Sequence, residues 1–124
     1  MVWKGVIIEE SMENKELLNL VKIINTKRTT LEKESEKGTL QFHRIELEDE
    51  KKDEFVNKAK ASLREGWYIH ICKDRSMVVI FRNKMFEFTE KQQDTLDQAR
   101  NYGLSIGIIK EQMPFERLLI DPYS

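Results

Sequence analysis

Residues 67–88 limit the fold more than any other stretch. Trp67-Tyr68-Ile69-His70-Ile71-Cys72, Val78-Val79-Ile80-Phe81 and Met85-Phe86-Glu87-Phe88 are three β-rich runs, separated only by Lys73-Asp74-Arg75-Ser76 and Arg82-Asn83-Lys84. Connections this short join neighbouring antiparallel strands, so the sequence predicts a three-stranded antiparallel meander. Its middle run is apolar at consecutive positions and needs cover on both faces. In the third run Phe86 and Phe88 alternate with Glu87, as on an edge strand with one wet face.

Upstream, Trp3 and Val6-Ile7-Ile8 predict a buried first strand. Leu17, Leu20, Val21 and Ile24 recur at helical spacing behind Ser11, a candidate cap, and predict a first helix. Residues 25–38 are the most polar segment and read as a connector, either a mobile loop or the solvated end of that helix. Thr39 to Leu47 predicts a strand with an irregular pattern: Leu40 and Phe42 have one parity, Ile45 and Leu47 the other. A β-bulge near His43-Arg44 reconciles the two pairs; a strand buried on opposite faces at its two ends does so as well.

Phe55, Val56, Ala59 and Leu63 predict a second helix ending at Gly66. The carboxylates of 46–54 lack the alternating-ligand and glycine pattern of a calcium loop, and they suit a helix N-terminus instead. Thr89-Glu90-Lys91-Gln92 has the capping-box form and opens a third helix carrying Leu96, Ala99 and Tyr102, stopped by Gly103. Leu104 to Ile109 reads as a short added strand, and Pro114 opens a last turn with Phe115, Leu118 and Leu119.

These elements predict an α/β fold, with α+β as its neighbour. The expected form is a single globular domain over 1–124, a mixed sheet of about five strands covered by about three helices around one shared interior. The first two helical connections are long enough to cross over between parallel strands.

With 124 residues, the chain has no room for separate catalytic and cofactor domains. Lys and Arg number 21 and Asp and Glu 22, for a net charge of -1, a balance that disfavours nucleic acid and anionic membranes as main partners. One cysteine forms no internal disulfide, and no apolar run approaches a membrane span, so a cytoplasmic protein is expected. Walker and dinucleotide loops, His-Glu-x-x-His, paired CxxC and the Gly-x-Ser-x-Gly elbow do not occur.

The candidate chemistry is confined to four residues. His70 and Cys72 lie two apart on one strand and share a face with Tyr68. If the strand carrying His43 lies alongside, His43, His70 and Cys72 form a candidate metal set with one open position, or a thiolate and base with Tyr68 nearby. A buried cysteine more often packs as a small hydrophobe. Aromatics of the meander with Arg44, Arg75 and Arg82 nearby allow base stacking, which the charge balance again disfavours.

The expectation is therefore a non-catalytic ligand- or protein-binding module, with no cofactor assigned. A homodimer or a protein partner would be engaged through a sheet edge or the apolar segment 113–120. The alternative is a small enzyme or metal-binding protein built on the His/Cys cluster.

Overall fold

The computed structural model describes residues 2–31 and 35–123. It contains one open sheet of six strands: β1 (Val2–Ile8), β2 (Lys22–Thr29), β3 (Leu40–Glu48), β4 (Tyr68–Lys73), β5 (Ser76–Phe81) and β6 (Lys84–Thr89). Their order across the sheet is β2-β3-β1-β4-β5-β6, and every neighbouring pair is antiparallel. The helices are α1 (Lys52–Ser62), α2 (Gln93–Ser105), α3 (Phe115–Ile120) and a two-turn 3-10 helix at Lys15–Leu20. The fold is α+β.

The meander is present as read. Asp74 and Arg75 both adopt positive φ in the first turn and Asn83 in the second, the backbone that tight hairpins require. β5 is buried along Met77–Phe81, and β6 forms the sheet edge.

The expected mixed sheet is corrected to an antiparallel one, for a reason of strand order. β3 and β4 do run parallel, and α1 does connect them, but β1 lies between them and pairs with both. The crossover spans a split β-α-β unit.

The expected first helix is also corrected. Only Leu17 of the 3-10 helix is buried, and Lys22–Thr29 is strand, exposed along its whole length. The β-branched residues Val21, Ile23, Ile24, Thr26 and Thr29 favour an extended backbone. The strand takes the first five residues, 25–29, of the expected polar connector, of which residues 32–34 lie outside the described ones. The bulge falls at Ile24 of β2, facing Ile45 and Arg44, while β3 pairs with β1 without interruption.

Two further helix ends differ. α1 stops at Ser62, ahead of Gly66, and Leu63 then bridges Met12. α2 runs through Gly103 to a Schellman end: Gly107, at φ 95°, donates to the Leu104 carbonyl and Ile108 to that of Gly103. Leu104 and Ser105 are therefore helical, and the added strand expected at 104–109 is not formed.

The apolar side chains form two layers, one on each face of the sheet, rather than one interior. On the first face Trp3, Ile7, Ile45, Leu47, Ile69 and Ile71 pack under α1 and Leu17. On the second, Cys72, Val79, Phe81 and Phe88 pack under α2, α3 and Met113. The second layer covers mainly β4–β6. Over β1 and β3 that face is left partly open, and the C-terminal segment passes along the boundary. No helix among the described residues is long and apolar enough to cross a membrane.

Candidate functional site

Strand register decides where the four candidate residues point. His43 pairs with Ile7 across β1–β3, whereas His70 pairs with Val6 across β1–β4. Adjacent positions of β1 face opposite ways. His43 therefore belongs to the first face, and Tyr68, His70 and Cys72 to the second. The expected convergence of His43 with His70 and Cys72 is thereby corrected, and among the described residues no group of three metal-ligating side chains comes together.

Tyr68, His70 and Cys72 share a different task. The Tyr68 hydroxyl donates to the Gln112 carbonyl, His70 Nε2 to that of Pro122 at 2.8 Å, and Cys72 Sγ to that of Leu118 at 3.5 Å. A row of three donors on β4 thus fastens the C-terminal segment over the second face. Phe115 adds an edge-on ring contact to Tyr68, and the Tyr123 hydroxyl donates to the Ile45 carbonyl at 3.0 Å, opposite the bulge. Met113, Phe115, Leu118 and Leu119 are buried beneath this strap, so the apolar tail folds back onto its own chain.

Because a carbonyl only accepts, His70 carries its proton on Nε2. Burial depresses its pKa, the Pro122 carbonyl opposing this less strongly. The unfolded chain then takes up this proton at about pH 6.5, before the folded one does. Stability should be full above that value, fall as pH drops through it, and level off once folded His70 itself titrates. Urea midpoints measured from about pH 7.5 to 5.5 should decline in the wild type and decline less in His70→Gln; equal slopes would refute this role.

His43 occupies a network that sequence patterning did not reveal. Its Nδ1 lies 2.7 Å from the Thr26 hydroxyl and its Nε2 3.1 Å from Glu9 Oε1. Glu9 also accepts from Lys15 and Gln41, and its pKa is lowered chiefly by the Lys15 bond and then by His43. The network ties edge strand β2 through β3 to the turn after β1. His43 lies on the face opposite His70 and Cys72.

The second face holds a cavity of about 330 Å³ between the open half of the sheet and the strap. Two cross-strand rows make its floor: Lys27–Phe42–Ile8, and Arg44–Val6–His70. Trp67 and Tyr68 form one wall, and Pro114, Leu118 and Tyr123 of the strap another. The parity conflict in β3 is explained here. Phe42 faces the cavity, while Ile45 and Leu47 pack on the opposite face, so the strand is buried on different faces at its two ends.

The volume equals about eleven waters at liquid density and lies at the low end for small-molecule pockets. Comparison with protein-family models, with curated proteins and with solved structures found no match.

Proposed function

We propose that this chain is a non-catalytic binding module that takes a small amphipathic molecule into the cavity between β1–β3 and the C-terminal strap. One observation carries the reading: a concave hollow seated on the strands combines apolar and aromatic side chains with polar and charged ones. Tyr68, His70 and Cys72 support it indirectly, since their bonds hold the strap that forms the far wall. The metal alternative that joins His43 to His70 and Cys72 loses its geometric basis, because His43 lies across the sheet from the other two.

The two tryptophans give a direct test. Trp67 lines the cavity, while Trp3 is buried on the other face with its indole N–H bonded to Asp49. Phenylnaphthylamine, a neutral apolar probe, should quench Trp67 emission saturably and raise the melting temperature. Trp67→Phe should abolish the quenching, and Val6→Phe, which fills the floor, should weaken binding about tenfold or more at unchanged circular dichroism. Binding undiminished in a folded Val6→Phe protein would place the probe elsewhere and sink the reading.

A further inference from the structure

We infer that the ligand of this cavity is an amphipathic anion, an apolar or aromatic body with one acidic headgroup such as a carboxylate, sulfonate or phosphate. The inference rests on the binding reading above and adds the charge of the ligand to it. The chain as a whole is almost neutral, at a net charge of -1, yet among the described residues the cavity is lined by Lys27, Lys37, Arg44 and Arg117 against one carboxylate, that of Glu111.

The surroundings of these cations differ from those elsewhere in the molecule. Lys52 is paired with Glu87 at 3.0 Å, Lys73 with Asp49 at 2.7 Å, Arg75 with Glu90 at 3.0 Å, and Arg82 and Arg100 with Glu13 and Glu116. Among the described residues Lys27, Arg44 and Arg117 make no ion pair with a carboxylate. Glu46, two residues from Arg44 along β3, stands between Lys4 and Lys22 in the register and is not part of the lining, though its charge reaches Tyr123 at the rim.

Strand register also fixes where this charge sits. Lys27 and Arg44 are exposed and lie on the β2 side of the two rows, ahead of Phe42 with Ile8 and of Val6 with His70. Charge therefore lies at the mouth and apolar surface within. Aromatic rings brace the rim as well: the Arg44 guanidinium lies 5.7 Å from the Tyr123 ring centre, and Lys37 Nζ lies 4.5 Å from that of Trp67. A guanidinium presents its donors in a planar fork, the geometry that grips a carboxylate or phosphate in bidentate fashion. A neutral ligand would fill the interior and leave these donors to water. An acidic headgroup engages Lys27, Arg44 and Arg117 without displacing a partner carboxylate among the described residues.

Two probes sharing one skeleton separate this inference from the reading beneath it: anilinonaphthalene sulfonate, which is anionic, and neutral phenylnaphthylamine. The sulfonate should bind about tenfold tighter or more, and that preference should shrink at high salt because the rim is solvent-exposed. Arg44→Gln and Lys27→Gln should each erode the sulfonate affinity severalfold more than that of the neutral probe. Their circular dichroism and melting temperature would establish that both variants are folded. Equal affinity for the two probes, or sulfonate binding indifferent to both substitutions, would overturn the anion inference while leaving the cavity reading intact. If neither probe bound, the cavity reading itself would fall, and this inference with it.

Discussion

Gly5→Ala is expected to destabilise the fold by about 3 kcal/mol or more, at the upper end of what overpacking a well-packed interior costs. A Cβ at Gly5 would lie 2.0 Å from the His70 carbonyl oxygen and 3.1 Å from both the His70 carbonyl carbon and Ile71 Cγ2. Two of these three atoms are backbone, so no rotamer change relieves the contact. The only relief is to separate β1 from β4.

That seam is the weakest place to open the sheet. β1 and β4 share three paired positions, Lys4–Cys72, Gly5–Ile71 and Val6–His70, whereas β1 and β3 share seven. The seam joins β2-β3-β1 to β4-β5-β6, and β4 carries the donors that hold the strap. Opening it disturbs both apolar layers and the cavity together. The matched control is Gly107→Ala, where nothing lies within 4 Å of an added Cβ and only the left-handed backbone at φ 95° opposes it; about 1–2 kcal/mol is expected there. Urea denaturation of both variants distinguishes a lack of space from a conformational penalty. A Gly5→Ala protein within 1 kcal/mol of wild type would mean that this close approach does not hold the seam together.

What the sequence revealed follows a physical division. The meander was legible because its strands alternate or are apolar throughout, and its turns are too short for anything but hairpins. α1 was legible because Phe55, Val56 and Ala59 lie on one helical stripe, and all three are buried. β2 was not legible. An edge strand exposed on both faces has no apolar alternation to display, and Lys22–Thr29 therefore read as the end of a helix and the start of a polar connector. Its β-branched residues were the available signal. Strand order was hidden for a similar reason, because pairing β1 between β3 and β4 is a long-range choice that no local pattern records.

The candidate site divides in the same way. Tyr68, His70 and Cys72 do share a face, since the two-residue period guarantees it. Whether His43 joins them depends on register: it pairs with Ile7, and a shift of one residue would have turned it to the other side. The cavity itself was foreshadowed only by Phe42, whose parity disagrees with Ile45 and Leu47. A bulge in β3 would have turned it into a common core. The structure uses the alternative, and that choice leaves an aromatic floor on the open half of the sheet.

Cys72 provides the sharpest check on whether the second-face row is chemically active or fastens the strap. Burial pushes its thiol pKa up to about 12, the opposite of the depression a nucleophilic or metal-binding cysteine needs. At about pH 8 such a thiol is ionised to about one part in ten thousand, against roughly a quarter for an ordinary cysteine. A more basic thiolate is intrinsically more nucleophilic, which regains a factor of about forty. That gain has no outlet in the folded protein, where the side chain is 3% exposed beneath Leu118. Alkylation by iodoacetamide should therefore be slower in the native protein than in guanidinium by on the order of a thousandfold, reaction passing mainly through transient opening. The pH profile identifies the route. Labelling through opened molecules should rise with pH and flatten near the ordinary thiol pKa of about 8.5, whereas attack on the folded thiol would keep rising toward about 12. Native labelling as fast as in denaturant would require an accessible, ionised thiolate, and would restore Cys72 as a reactive group on the face where the strap now covers it.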